Sequence, residues 1–262
     1  MTKERVDLAL VRRGLVESRE KASALILAGQ VWAGDRVLDK PGALVSVDVP
    51  IRLLEQLPYV SRGGIKLAHA LDAFGLDVRE RVVLDVGAST GGFTDCLLQR
   101  GAWKVYAVDV GYGQIDLRLR QDPRVVVLER TNIRYLRLLP ENPDLATIDT
   151  SFISLEKVIP PVLALLGPGS FVLALVKPQF EAGRGQVGKG GVIRDPAVHR
   201  AVLERLCLWA GAQGLAVKGI TASPILGPAG NREFFVYLDR FGPGIDCSVA
   251  LEGLAPTKRQ AN

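Results

Sequence analysis

The stretch Val82-Val-Leu-Asp-Val-Gly-Ala-Ser-Thr-Gly-Gly-Phe-Thr94 holds the densest set of ligand-binding residue types in the chain. A buried apolar strand runs into a glycine-rich turn and then into an amphipathic segment, the pattern of a first βα unit that binds a nucleotide. Gly87, Gly91 and Gly92 allow tight turning and close backbone approach, while Ser89, Thr90 and Thr94 can bond a ligand or cap the next helix. The spacing is neither the G-x-G-x-x-G of a dinucleotide site nor the G-K-[ST] of a P-loop. Asp85 stands in the approach to the turn, where a pyrophosphate would meet its negative charge. A cationic or zwitterionic nucleoside suits such a site, and S-adenosylmethionine is the first such candidate. The expected cofactor residues are therefore Asp85, Gly87, Ala88, Ser89, Thr90, Gly91 and Gly92.

A second acid supports this reading. Val105-Tyr-Ala-Val-Asp109 is a short apolar strand ending in a carboxylate, 22 residues after Gly87, where a ribose-binding acid belongs in such folds, roughly 20 residues on. Glu129, Thr131 and Asn132 follow the third strand and are expected on the adenine side, although Asn132 also suits a loop turn. Ligands in such sheets lie beyond the carboxyl ends of the strands, and three more polar residues fall at strand ends. Asp149 closes Leu145–Asp149, Lys177 closes Leu173–Lys177, and Glu233 immediately precedes Phe234–Leu238. Lys66, just before the core, can fold back over the same edge. Without further information Lys66 and Glu233 read first as a surface lysine and a strand-end acid in ordinary ion pairs, while Asp149 and Lys177 read equally well either way.

The elements that must position these residues are legible from periodicity. From residue 81 apolar strands (Val82–Val86, Val105–Val108, Val125–Leu128, Leu145–Ile148, Phe171–Val176 and Phe234–Leu238) alternate with helical segments, which predicts an α/β domain with a mostly parallel sheet. Residues 4–54 have a different pattern. Leu8 and Val11 mark one face of a first helix ended by Gly14; Ser18 caps a second with Ala22, Leu25 and Ile26 on its apolar face and Gly29 as its stop. A hairpin-like turn over Val31–Leu38 and a strand over Leu44–Val49 complete a small αα-β module. The domain expectation is a module over 1–57, a linker over 58–64 and an α/β domain over 65–262. The loop Pro178–Arg194 holds five glycines with Arg184, Lys189 and Arg194, which suits a mobile, phosphate-contacting flap.

Composition narrows the classes. At 262 residues the chain has material for one or two domains, and its net charge of +5 favours a polyanionic partner only weakly. The module is nearly balanced, with nine Lys/Arg against eight Asp/Glu over residues 1–57, so a nucleic-acid footprint there must come from clustering. Arg12, Arg13, Arg19 and Lys21 around the helix junction are the candidates, although by charge alone they read first as solvated helix surface. Cys96, Cys207 and Cys247 are odd in number and widely spaced. They read as reduced thiols of a cytoplasmic protein, and with the lone histidines His69 and His199 they make no metal-ligand cluster. No basic-then-apolar leader opens the sequence, and the most apolar region, Val158–Val176, is broken by Pro160, Pro161, Gly167, Pro168 and Gly169, so no membrane span is expected.

Five strings together are more specific than the glycine turn. Ser61-Arg-Gly-Gly-Ile-Lys66, Asp85-Val-Gly-Ala-Ser-Thr-Gly-Gly-Phe-Thr94, Asp149-Thr-Ser-Phe-Ile-Ser154, Val176-Lys-Pro-Gln-Phe-Glu181 and Gly230-Asn-Arg-Glu-Phe234 resemble the TlyA family, historically called haemolysins, over roughly residues 4–240. Its members join an RNA-binding domain like that of ribosomal small-subunit protein four to an FtsJ-class methyltransferase domain with a Rossmann-like fold. The resemblance implies S-adenosylmethionine-dependent 2′-O-methylation of ribosomal RNA, on a cytidine ribose, with ribosomal subunits as partners and no metal. It places the family's catalytic tetrad on Lys66, Asp149, Lys177 and Glu233. Asp149 is expected nearest the methyl, and Arg62, Arg184 and Lys189 are further expected RNA contacts.

The chemistry suits these residue types. Moving a methyl from a sulfonium to a hydroxyl is an in-line displacement that needs alignment and removal of the hydroxyl proton. Neutral Lys177 can accept it if burial and the Lys66 ammonium lower its affinity for the proton from a reference pKa of about 10.4. Asp149 and Glu233 then serve orientation. The rivals are a noncatalytic RNA-binding or ribosome-assembly factor, which the intact tetrad argues against, and a membrane-damaging haemolysin, which the broken apolar region argues against.

Overall fold

The computed structural model describes residues 3–27, 29–34, 36–38, 40–53 and 57–253, without the side chains of Arg36, Arg184 and Lys189. Of the tail from about Phe241, for which the sequence carries no motif, the part beyond 253 lies outside the described residues. The chain divides into two compact units, Met1–Arg62 and Gly63–Asn262.

In the first unit β1 (Lys3–Arg5) leads into α1 (Val6–Arg12) and α2 (Arg19–Leu27). Ser18 Oγ accepts from Lys21 N at 3.2 Å, satisfying one of the amides that a helix start leaves unpaired. Gly14 and Gly29 stand at φ +67° and +74°, the left-handed positions that stop helices at low cost in glycine. The hairpin is present: β2 (Val31–Ala33) and β3 (Arg36–Leu38) pair antiparallel, and β2 also pairs with β5 (Ile51–Leu53). The expected strand over 44–49 is shorter, β4 (Leu44–Ser46), and pairs with β1. The face expected for α1 is wrong. Val6, Ala9 and Leu10 enter the core with Ala22 and Ile26, whereas Leu8 is 47% exposed, because the helix begins at Val6 and its i, i+3, i+4 row starts there.

The second unit opens with α3 (Arg62–Phe74), which begins three residues inside the expected linker, and continues through β6 (Val82–Val86), α4 (Gly92–Gln99), β7 (Lys104–Val108), α5 (Leu117–Gln121), β8 (Val125–Leu128), β9 (Leu145–Ile148), α6 (Leu155–Leu165), β10 (Phe171–Val176), α7 (Pro178–Glu181), α8 (Pro196–Ala212), β11 (Ala216–Ala222), β12 (Phe234–Asp239) and α9 (Cys247–Glu252). Seven strands form one sheet in the order β11-β12-β10-β9-β6-β7-β8. The five from β10 to β8 are parallel; β12 runs antiparallel to both β10 and β11. β11, with its alternating exposure, was not among the expected strands. The helices between strands bury their apolar faces on the sheet, with Ile148, Val158, Ile159, Val162 and Val172 in one cluster, each fully buried aliphatic side chain stabilising the fold by about 1.5–3 kcal/mol. Strand order reverses between β6 and β9, and that is where such a sheet opens a crevice at its carboxyl edge.

Candidate active site

Register alone brings the strand-end residues together. Val86 pairs with Ile148 across β6 and β9, so Gly87 and Asp149 leave the sheet side by side. Val176 pairs with Phe234 across β10 and β12, so Lys177 and Glu233 leave it opposite one another. Gly87 has φ +84°, and a Cβ there would stand 2.5 Å from the Asp149 carbonyl oxygen. Only glycine fits a backbone contact that close.

The four expected catalytic residues form two ion pairs. Lys177 Nζ lies 2.5 Å from Asp149 Oδ1 and donates to Ser151 Oγ at 3.0 Å. Lys66 Nζ lies 2.5 Å from Glu233 Oε2, with side chains only 8% and 1% exposed. Lys66 is thus no surface lysine. Its ammonium, expected to depress proton affinity at Lys177, is closed on Glu233. A pair this buried is costly to break, about 3–5 kcal/mol when one partner is removed.

A cavity of about 490 Å³ sits over the β6/β9 reversal, lined in part by Gly87, Ser89, Asp109, Asn132, Asp149 and Thr150. Asp109 is held from both sides: Oδ2 accepts from Ser89 N at 2.8 Å and Oδ1 from Gly111 N at 2.7 Å. Each carboxylate oxygen has a further lone pair for a diol. The Thr150 hydroxyl is buried without a hydrogen-bond partner among the described residues, a state that a polar ligand relieves. Asn132 caps the 3₁₀ turn Ile133–Tyr135 through Arg134 N at 3.1 Å, so its loop-turn role and its place on the wall coexist. These features fit a polar nucleoside with a ribose diol.

Several expected cofactor residues do not face the cavity. Asp85 is fully buried, accepting from Thr94 Oγ1 at 2.7 Å and Thr147 Oγ1 at 3.0 Å. Burial pushes its carboxyl up to about 7, against the pull of these hydroxyls. It ties β6 to α4 and β9 and is not among the residues that line the cavity. Ala88 is buried, the Thr90 carbonyl accepts from Asp116 N at 3.2 Å, and Gly91, at φ +93°, packs on Leu119 and Ile115 ahead of Gly92 at the start of α4. None of these four is among the residues that line the cavity. Glu129 is taken by Gly113 N and Arg120, whereas Thr131 lines the cavity as expected.

Sequence reasoning missed the rim. Phe152 has φ +63° and is 90% exposed at the cavity mouth, its ring 4.8 Å from that of Phe180. A bulky side chain held there costs about 1–3 kcal/mol and points to use. Arg130 lies over the Tyr112 ring at 4.2 Å and Arg134 over Tyr135 at 5.4 Å. Neighbouring Arg118, Arg120 and Arg124 instead close on Asp116, Glu129 and Asp122. Charge along the chain does not separate the two groups; the only sequence signal is the arginine-aromatic neighbour pair Arg134-Tyr135.

In the first unit the four expected RNA residues have different fates. Arg13 donates to the carbonyls of Val47 at 2.7 Å and Val49 at 2.6 Å, holding the turn after β4. That use commits its guanidinium to the fold of the first unit. Arg12 pairs with Glu4, Arg19 with buried Asp7, and Lys21 with Glu17, with the basic ends exposed. Arg62 opens α3. The side chains of Arg184 and Lys189 lie outside the described residues.

Comparison with known proteins identifies both parts of the chain. Residues 59–240 match the FtsJ-like methyltransferase family and residues 4–51 the S4 domain. The YqxC protein of Bacillus subtilis (strain 168) is 52% identical over 92% of this chain and 88% of its own. The 16S/23S rRNA (cytidine-2'-O)-methyltransferase TlyA of Mycobacterium tuberculosis (strain ATCC 25618 / H37Rv) is 47% identical over 89% of each. A solved Streptococcus thermophilus structure carrying the hemolysin name superposes with a TM-score of 0.74, at 44% identity over 97% of this chain and 96% of that one. No helix among the described residues is long and apolar enough to cross a membrane. The chain belongs to the TlyA family, an S4 domain followed by a methyltransferase domain of the FtsJ-like family.

Proposed function

We propose that this protein transfers the methyl of S-adenosylmethionine to a cytidine 2′-hydroxyl in ribosomal RNA, within ribosomal subunits in the cytoplasm and without a metal. The observation that carries the reading is the Lys177–Asp149 ion pair standing at the wall of a nucleoside-sized cavity. Asp109 accepts the cofactor ribose diol, Gly87 gives the backbone room to approach, and Ser89, Asn132 and Thr150 line the rest of the wall. When bound, the cofactor supplies an electrophilic methyl on a positively charged sulfur. Asp149 holds Lys177 in place. In that transfer the substrate hydroxyl would be the nucleophile, and its proton would pass to the Lys177 amine, which must first give its ammonium proton to solvent. The Lys66–Glu233 pair orients the substrate side of the site.

The substrate is gripped on two surfaces. Arg12, Arg19 and Lys21 of the S4 unit meet phosphates, as do Arg62, Arg184 and Lys189, and on the methyltransferase unit the Arg130/Tyr112 and Arg134/Tyr135 pairs offer cationic and aromatic faces to an unpaired strand, with Phe152 as a stacking face at the cavity mouth. A noncatalytic RNA-binding factor is the competing reading. Single-turnover methyl transfer to purified small and large subunits, followed by mapping of 2′-O-methyl sites, decides between them: one ribose-methylated cytidine or more supports the enzyme, and cofactor binding with no transfer to either subunit refutes it.

A further inference from the structure

The glycine loop between α7 and α8, residues 182–194, is fastened at both ends, and its fastenings lead to the two halves of the active site. At the near end Glu181, buried at the close of α7, accepts from Ser154 Oγ at 2.8 Å and Leu155 N at 2.8 Å. Ser154 ends the segment that begins with Asp149. At the far end Asn231, itself buried, holds the loop with both ends of one carboxamide: Oδ1 accepts from Ile193 N at 3.0 Å and Nδ2 donates to the Gly191 carbonyl at 2.9 Å. His199 of α8 closes on the Ile193 carbonyl at 3.1 Å, its ring edge-on to Phe234.

Asn231 also reaches the other way. Its carbonyl accepts from Gly227 N at 2.8 Å, and Gly227 lies so close to the Glu233 carboxylate that a Cβ there would overlap it. One residue therefore joins the loop, through a single planar carboxamide, to the turn that walls Glu233. The loop itself carries Arg184, Lys189 and Arg194, residue types that meet phosphates.

We infer that Asn231 is a positioning residue that ties the seating of the glycine loop to the placement of Glu233 against Lys66, so that RNA held by the loop organises the site for methyl transfer. The inference rests on the function proposed above. Misplacing a reacting group by about 1 Å costs on the order of 10²-fold in rate, so loosening the tie acts on the transfer step and not only on RNA capture.

The test uses the full chain. Asn231→Ala removes both bonds, and His199→Phe loosens the same loop from the other side while keeping a ring against Phe234. Each is measured by amide hydrogen exchange over 183–193, by equilibrium binding of ribosomal RNA and of S-adenosylmethionine, and by single-turnover transfer at saturating RNA. The expected result for both is faster exchange confined to the loop, cofactor affinity within about two-fold of wild type, RNA affinity within about three-fold, and a transfer rate roughly 10- to 100-fold lower. Unchanged loop exchange overturns the tie. A loosened loop with weaker RNA binding and a wild-type rate at saturation makes the loop an RNA contact with no link to Glu233. Should Asn231→Ala unfold, His199→Phe decides by the same readings. A wild-type chain that transfers no methyl overturns the proposed function and this inference with it; a wild type that transfers, matched by both variants, overturns this inference alone.

Discussion

The Cα of Gly87 faces the carbonyl oxygen of Asp149 so closely that a methyl group on it would lie 2.5 Å from that oxygen. The contact sets the spacing of the two strand ends that frame the cavity. Gly87→Ala adds both a steric overlap and a side chain at φ +84°, and such overpacking or strain costs about 1–3 kcal/mol each. Thermal unfolding should show a loss of that order, and calorimetry a fall in S-adenosylmethionine affinity of ten-fold or more. Unaltered cofactor affinity in the folded variant removes this contact from the site.

Asp85 should reveal itself through pH. The fold raises its carboxyl to about 7, while the unfolded chain holds it near the reference value of about 3.9. Between these values the unfolded state has lost a proton that the folded state keeps, so this group makes stability fall as pH rises from about 4 to about 7, with no further loss above. Asp85→Asn keeps hydrogen bonds to Thr94 and Thr147 and abolishes that slope. Its melting temperature should match wild type at pH 4 and exceed it at pH 8, with cofactor affinity changed less than several-fold. Parallel stability curves would mean that Asp85 does not titrate in this window.

The Lys66–Glu233 pair predicts a strong asymmetry between single and double substitution. Lys66→Met or Glu233→Gln alone leaves a buried charge uncompensated and should destabilise by about 3–5 kcal/mol. The double variant should recover most of that in denaturant unfolding while methyl transfer stays lost, which separates the pair's structural from its catalytic contribution.

For Lys177, arginine is the informative replacement. Lys177→Arg retains a cation beside Asp149 but cannot release a proton near neutral pH, so single-turnover transfer should fall by about 10²–10⁴-fold with cofactor and RNA affinity preserved. A wild-type rate makes Lys177 a positioning cation and sends the proton elsewhere.

The S4 unit predicts a division among its arginines. Arg13→Ala should lower thermal stability by about 1–3 kcal/mol through two unpaired carbonyls with little change in the salt dependence of RNA binding. Arg12→Ala and Arg19→Ala should each reduce the slope of log affinity against log salt by roughly one. Slopes that respond to Arg13 instead would return it to the RNA face.

The amino-acid sequence by itself determined the α/β alternation, the glycine turn, the strand-end acids Asp109 and Asp149 and the separate N-terminal module. Each is local: strand period, turn chemistry and caps are written within a few consecutive residues. What the tertiary structure decided is which polar residue spends itself on which neighbour. Lys66 reaches Glu233 across 167 residues. Asp85 looks like a turn acid until Thr94 and Thr147, 9 and 62 residues away, close on it. Arg13 reads as a free cation until it turns onto carbonyls 34 and 36 residues on. α1 offered two apolar rows, and only packing against Ala22 and Ile26 chose between them. Hydrophobic periodicity is set by the element that carries it, but burial, ion pairing and hydrogen-bond satisfaction depend on register between strands distant in the chain, and a short sequence pattern holds no information about the partner.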